Sequence, residues 1–422
     1  MSDQPPSASF SAHVGAHAAP EIRDKAPLVH HALPKAEMHV HIALALSVEI
    51  FLRRIQKRRT DIQADFLISR EKRYYETLAR FHATYEGMRH ITATDHELAQ
   101  ATQIYLERIA KEGAIYAEIS NSFRGDPDQY DRQVAAITEG IKAANANTGI
   151  HARIVTTAIR DRRMGPDMAE QAARHLAKTR PAYVTAFGLA GEEDIDAITD
   201  YSRAMLIAWH EAGLGLAPHV AEQYLHNAVD FFHAVPAEAL EPRPTGDDRR
   251  LRVGHGTLIH QSSRLMQMFT ERAICMEVCL SANKRISLPL GGRIHEVGET
   301  ISGRSSQDTV VLDRNRRHYF NDIARHPLPD FIAAGIPVCL GSDNPLLMNT
   351  NIGKEYSLAV KTGVEDMRVV LNLTRNAVSY ANVPADLRAQ LMGYVDRYER
   401  VLIKGERVDT TAQGYRYAFN RF

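Results

Sequence analysis

The sequence predicts an α/β fold in which eight parallel strands and the helices between them close into a (β/α)8 TIM barrel. Apolar runs with the length of strands alternate with helical stretches from Leu33 onward. Strands that alternate with helices form a parallel sheet with right-handed crossovers. Eight such units in 422 residues favour a closed barrel over an open sheet, with extra helices after strand 1 and at the C terminus.

The predicted elements follow one another in a regular rhythm. The first strand is expected at 36–42, and a long, basic, helical segment follows it at about 51–95. Glycines such as Gly113 fit the C-terminal caps of the later helices, because glycine readily adopts the left-handed conformation. These helices are expected at about 95–111, 130–145, 167–179 and 197–211. The other seven strands are expected at 114–119, 152–159, 183–189, 216–219, 251–255, 273–280 and 336–341.

Two kinds of segment depart from this rhythm. Residues 1–29 are rich in Ser, Ala, Pro and His without periodicity, so we predict a flexible tail there and a single barrel domain over 30–422. The segments at about 51–95 and 284–325 are longer than a simple connection requires. Loops after strands lie at the catalytic face of a barrel, so either segment can cover the active site. Alternatively, either segment can be an insertion that has no role at the site. The sequence leaves both interpretations open.

Composition argues against several classes of protein. The 51 basic and 51 acidic side chains give zero formal charge, which argues against a general affinity for nucleic acid or membrane. No apolar run approaches the roughly 18 residues of a membrane span. The three cysteines indicate reduced thiols and a cytoplasmic location, not a disulfide framework. Both a monomer and a homodimer remain open.

A pair of histidines closes the first predicted strand. His39 and His41 are two residues apart, so their side chains point to the same face of the strand. Two imidazoles held in this way are a candidate clamp for a metal such as zinc. The pair alone is weak evidence, because a chain with 20 histidines produces such a spacing by chance.

Three later strands offer matching groups at their carboxyl ends. Strand five ends at His219 with Glu222 three residues on, strand six ends at His255, and Asp343 follows strand eight. Barrel active sites draw their residues from several strand ends, so these groups are expected at one rim. Three imidazoles and a carboxylate can hold zinc and leave a position for water, whose pKa falls toward ~7. A further imidazole can orient this water, and Glu222 can deliver a proton to a leaving group.

Six motifs then resemble those of the adenosine deaminase family of the amidohydrolase superfamily. They are LPKAEMHVH at 33–41, LAGEE at 189–193, HVAE at 219–222, RVGHG at 252–256, CLSAN at 279–283 and SDNP at 342–345. Their order covers about residues 33–385. The resemblance implies a TIM barrel and one catalytic zinc ion per chain.

The resemblance also implies a role for each site residue. Glu222 would protonate the ring nitrogen beside the attacked carbon, His255 would orient and help deprotonate the water, and Gly191 would offer backbone contact to a purine-like ring. Asp343 would be both a metal ligand and part of the catalytic machinery. The implied zinc ligands are His39, His41, His219 and Asp343.

Departures from the family pattern concern the substrate. Ala43 and Leu44 stand where adenosine deaminases have Asp-Gly, so the polar contact to ribose is missing. Asn344 stands where the family has a second Asp; an amide can donate to an unprotonated ring nitrogen but carries no charge. We expect a zinc-dependent hydrolytic deaminase of a purine nucleoside or aminopurine, a small amino-heterocycle. Cleavage of a different C–N bond and a non-catalytic barrel remain alternatives.

Overall fold

A computed structural model describes residues 33–42, 45, 75, 78–88, 94–242, 248–286, 288–290, 316–318 and 323–400. The predicted tail at 1–29, the positions of Ala43 and Leu44, and most of the 284–325 segment lie outside the described residues. Among the helices of the described part, none is long and apolar enough to cross a membrane.

Eight parallel strands form the barrel, and two short strands form an antiparallel pair beside it. The barrel strands pair in the order β1-β2-β3-β4-β5-β6-β7-β10, as the alternation of strands and helices predicts. The strands are β1 (Lys35–His41), β2 (Ala114–Ser122), β3 (His151–Arg160), β4 (Val184–Gly191), β5 (Gly215–Val220), β6 (Arg252–His255), β7 (Cys275–Val278), β8 (Leu288–Leu290), β9 (Arg316–His318) and β10 (Val338–Leu340).

Helices pack around the barrel, and their caps follow the sequence signals. Helix α2 spans the predicted 95–111; Thr94 and Glu97 form a capping box at its start, and Gly113 adopts φ 94° after its end. The helices are α1 (Leu78–Met88), α2 (Asp95–Lys111), α3 (Pro127–Thr148), α4 (Gly165–Thr179), α5 (Ser202–His210), α6 (His226–Ala234), α7 (Ser263–Glu271), α8 (Leu280–Arg285), α9 (Leu328–Ala333), α10 (Pro345–Met348), α11 (Ile352–Lys361), α12 (Met367–Ser379) and α13 (Ala385–Tyr398).

The first and last barrel strands are joined by few backbone contacts. Val40 bridges to Asp343, and two hydrogen bonds run from the His41 amide to the Asp343 carbonyl (2.9 Å) and from the Asp343 amide to the His39 carbonyl (2.8 Å). The side chain of Glu37 adds to this seam by accepting hydrogen bonds from the amides of His39 (3.3 Å) and Ser342 (3.0 Å). The barrel therefore closes at the point where its first and last strands carry histidine and aspartate.

The hydrophobic core lies between the strands and the surrounding helices. Alternate strand residues such as Ile154 and Leu216 and helix residues such as Leu106 are fully buried in it. All three cysteines are free and buried, as predicted. This core holds the strands rigid, so that their carboxyl ends present side chains at defined positions.

Candidate active site

The structure brings the predicted metal and acid–base residues together at the carboxyl ends of four strands. His39 and His41 lie at the end of β1, His219 on β5 and His255 at the end of β6, and Asp343 follows β10. The His39 and His219 rings lie 4.7 Å apart between centroids, and the His219 and His255 rings are also 4.7 Å apart. The expectation that these side chains share one rim is confirmed.

Two overlapping groups of side chains have the spacing of a metal site. One ligand atom from each of His39, His41 and Asp343 lies within 4.8 Å of the others, and the same holds for His39, His219 and His255. The His39 Nε2 and the His219 Nδ1 atoms are buried and have no hydrogen-bond partner within the described part of the chain. Imidazole nitrogens and a carboxylate oxygen are the donors that zinc accepts, so the residues fit this metal.

Glycines allow the imidazoles to approach the barrel wall closely. A Cβ atom on Gly254 would lie 2.9 Å from His219 Cδ2 and 3.0 Å from His39 Cε1. A Cβ on Gly341 would meet the side chain and backbone of His39. A larger residue at either position would force these imidazoles to shift, since real Cβ atoms essentially never make contacts under 3.0 Å.

Three non-glycine residues in this region adopt the left-handed backbone conformation. The φ angles are 53° at Ala221, 63° at His255 and 57° at Asp343. A side chain in this conformation is unfavourable by roughly 1–2 kcal/mol, and such strain tends to persist where function requires it. Two of the three are site residues, and the third lies beside Glu222.

A chain of buried charges stands behind His39. The Nδ1 atom of His39 lies 2.7 Å from Glu277, and Glu277 accepts a hydrogen bond of 2.6 Å from Arg252, which also pairs with Glu118. Burial lowers the pKa of His39, but the nearby carboxylates, Glu277 foremost, together raise it above its usual value. Burial raises the pKa of Glu277, but Arg252 and His39 together lower it below its usual value. A carboxylate on Nδ1 orients the ring with Nε2 toward a metal. Sequence analysis missed Glu277, although a carboxylate within a buried apolar strand is a signal.

Glu222 lies between two of the histidines. Its carboxylate oxygens are 3.6 Å from His219 Nδ1 and 3.7 Å from His255 Nε2. Burial, with the nearby carboxylates of Asp343 and Glu193, raises the pKa of Glu222 well above its usual range. Burial and the other histidines hold the pKa of His219 and of His255 well below the usual range. These shifts favour the protonated form of the Glu222 carboxyl group and the neutral forms of the His219 and His255 imidazoles.

A cavity of about 140 Å³ opens over these residues. Helix α1, which belongs to the segment after strand 1, lines it with Leu78, Phe81 and Tyr85, so part of that segment does cover the site. Two ion pairs connect the same helix to neighbouring loops. They are His82–Glu192 at 3.5 Å and Glu86–Arg124 at 2.9 Å. The cavity thus combines an apolar wall with a charged mouth.

Two of the predicted substrate contacts line this cavity. Gly191 ends β4 with φ 101°, and a Cβ there would lie 2.5 Å from the Arg160 carbonyl. Asn344 donates a hydrogen bond of 2.7 Å to the Asp343 carboxylate, while its own buried Oδ1 has no hydrogen-bond partner in the part described. Asn344 therefore orients a predicted metal ligand as well as facing the cavity. The other two predicted contacts, Ala43 and Leu44, lie outside the described residues.

Comparison with known proteins agrees with this geometry. The family model described as adenosine deaminase matches residues 34–288 and 316–398. An adenine deaminase from Agrobacterium fabrum is 30% identical over 370 residues, which cover 85% of this chain and 97% of that protein. An adenine deaminase structure from Arthrobacter aurescens has a TM-score of 0.67 at 19% identity, covering 87% of this chain and all of the other. An amidohydrolase from Burkholderia ambifaria, solved with bound zinc, has a TM-score of 0.68 at 19% identity, covering 93% and 96%.

The two solved structures establish the fold, and the sequence matches establish the family. The chain is a (β/α)8 barrel whose carboxyl rim carries histidines and an aspartate with the spacing of a metal site. The chain belongs to the adenosine deaminase family. It is accordingly a hydrolase that acts on carbon–nitrogen bonds, a deaminase, and the family resemblance drawn from its motifs is confirmed.

Proposed function

We propose that this protein is a zinc-dependent hydrolytic deaminase of aminopurines, with adenine as the first candidate substrate. The observation that carries the proposal is the proximity of Glu222 to His219 and His255, beside a second group formed with Asp343. Adenine as the substrate is supported by the similarity to adenine deaminases, one of which is 30% identical over 85% of this chain. The barrel domain would span 30–422 and work in the cytoplasm, with which three free, buried cysteines are consistent.

The surroundings of each site residue suit it to metal binding, proton donation or proton acceptance. His39, His41, His219 and Asp343 would hold one zinc ion, which when bound supplies a Lewis acid that acidifies water. Glu222 would hold a proton at its carboxyl group and donate it to the purine ring nitrogen next to the amino-bearing carbon. His255, whose burial favours the neutral imidazole, would accept a proton from the attacking water.

The substrate would lie in the cavity between helix α1 and the strand ends. Phe81 and Tyr85 offer an apolar wall against which an aromatic ring can pack. The free Oδ1 of Asn344 and the backbone of Gly191 offer polar contacts to the ring edge. Exclusion of water by this wall would strengthen each polar contact inside the cavity.

Metal content and ammonia release test the proposal directly. We expect the purified protein to contain about one zinc ion per chain by plasma mass spectrometry. We also expect it to release ammonia from at least one of adenine, adenosine, deoxyadenosine, 5′-modified adenosines, AMP and N6-methylated adenine. The variant His219→Ala should lose the metal, whereas His210→Ala, which removes an exposed imidazole from α5, should keep it. Bound zinc with no ammonia from any of these compounds would reject the proposed substrate class.

A further inference from the structure

We propose that Glu193 is a positioning residue that anchors the loop at 221–224 and thereby aims Glu222 at the substrate. The proposal rests on the proposed function only in that Glu222 is the proton donor. Glu193 follows β4 and lies between Glu192 and Ile195, which both line the cavity. Its own side chain does not line the cavity, so it would act through Glu222.

Three consecutive backbone amides of the loop donate to the Glu193 carboxylate. The donor–acceptor distances are 3.2 Å from Glu222, 3.0 Å from Gln223 and 2.8 Å from Tyr224. In return, the Gln223 side-chain oxygen accepts a hydrogen bond of 3.1 Å from the Glu193 amide. The loop after β4 and the loop after β5 are therefore joined by four hydrogen bonds, and three of them converge on one carboxylate.

A buried arginine supports this carboxylate from the other side. Arg160 at the end of β3 is 1% exposed and Glu193 is 2% exposed. The Arg160 Nη1 atom lies 3.8 Å from Glu193, and its Nη2 atom donates a hydrogen bond of 3.1 Å to the His219 carbonyl. Burying a carboxylate is unfavourable unless a nearby charge and hydrogen-bond donors compensate for the lost water. Arg160 and the three amides supply both.

The loop needs such an anchor because its backbone is unfavourable. Ala221, directly before Glu222, has φ 53°, a conformation that disfavours any residue with a Cβ atom. Without outside support the loop would relax toward ordinary backbone angles and rotate the next residue. The φ of 101° at Gly191, together with its missing side chain, lets the end of β4 lie against the Arg160 backbone and brings Glu193 to the loop. Strain at Ala221 is thus offset by hydrogen bonds from Glu193.

The variant Glu193→Gln tests the anchor, because it keeps the size of the side chain but removes its charge and one acceptor oxygen. We expect kcat to fall by about 10- to 100-fold with KM and zinc content nearly unchanged, since a small misplacement of a proton donor affects mainly the chemical step. We also expect hydrogen exchange of the amides at 222–224 to become about tenfold faster. Glu211→Gln is the control: it makes the same change at an exposed position after helix α5 and should change neither quantity.

Each result has a definite meaning. Unchanged amide exchange in Glu193→Gln, or a rise in KM with kcat unchanged, would overturn the proposal. Should Glu193→Gln fail to fold, Glu193→Asp, which keeps both oxygens and the charge on a shorter stem, is measured in the same way. We expect the kcat of Glu193→Asp to be reduced by less than tenfold relative to the wild type. Loss of zinc from this variant would also overturn the proposal. Because amide exchange does not depend on turnover, it tests the anchor even where no aminopurine is deaminated.

Discussion

The two ends of the barrel both bury polar and ionisable side chains, but these side chains are hydrogen-bonded differently at each end. Toward the amino end, Lys35 donates hydrogen bonds to two backbone carbonyls, at 2.8 and 2.7 Å, and Arg252 pairs with two carboxylates and a carbonyl. At the carboxyl end, the side-chain atoms His39 Nε2, His255 Nδ1 and Asn344 Oδ1 are buried without a hydrogen-bond partner among the residues described.

This difference indicates what each end is for. Hydrogen-bonded side chains at the amino end hold strands together, because leaving any one of them without its partner is unfavourable. Unpaired donors and acceptors at the carboxyl end are instead available to a metal ion or a substrate. Backbone strain does not follow this division: Ala221, His255 and Asp343 lie at the carboxyl end, but Arg180 and Ala273, which also have positive φ angles, precede β4 and β7. One barrel therefore combines a stabilising half with a functional half.

Replacing the proton donor should produce the largest change in activity. We expect Glu222→Gln to lower kcat by on the order of 10³-fold, because an amide cannot transfer the proton, while zinc remains bound. Steady-state ammonia release and metal analysis measure both quantities. Glu211→Gln, an exposed change after helix α5, is the control and should leave kcat unaltered. Full turnover in Glu222→Gln would remove this residue from the mechanism.

The largest loss of stability should come from a substitution at the amino end of the barrel. Arg252→Met leaves Glu118 and Glu277 buried without their cation, so we expect the free energy of unfolding to fall by about 3–5 kcal/mol. Urea denaturation measures this loss. The exposed pair Arg174–Glu170 provides the control, because Arg174→Met should change stability by less than about 1 kcal/mol. Equal losses in both variants would contradict the assigned structural role of the buried network.

Lys35 should make stability depend on pH. Burial lowers the pKa of Lys35 from its usual 10.5 to about 7, so between these values the unfolded chain binds a proton that the folded chain does not. The contribution of Lys35 to the free energy of unfolding is therefore lowest below pH 7. Between the two pKa values it rises by roughly 1.4 kcal/mol per pH unit. The difference in unfolding free energy between wild type and Lys35→Met, measured from pH 7 to 9, should show this slope. A difference independent of pH would mean that Lys35 is charged in the folded protein.

The smallest expected effect concerns the strained loop. Ala221→Gly relieves a Cβ atom in left-handed backbone, so we expect stabilisation by about 0.5–1 kcal/mol with activity retained. The same change in an exposed helical position, Ala135→Gly, should destabilise by about 1 kcal/mol. Thermal unfolding compares the two. If both variants are destabilised, the backbone at Ala221 is not strained in solution.

Much of the architecture was predictable because it depends on local pattern. The helix at 95–111 has capping residues at both ends, and its predicted and observed bounds agree. The extra helices predicted at the C terminus are α11, α12 and α13, and the chain turns between α11 and α12 near Gly363, whose φ is 102°. The motifs also identified the histidines, Glu222 and Asp343, since polar groups at strand ends follow directly from the order of strands and helices.

The sequence by itself determined the barrel, the family and the residues that meet at its rim. Only the tertiary structure decided which side chains support them: Glu277 behind His39, Glu193 and Arg160 behind Glu222, and helix α1 over the cavity. Glu277, for example, lies 238 positions from its partner His39. Periodicity and motifs report which face of an element a residue occupies, but a hydrogen bond between distant residues depends on packing that no local pattern records.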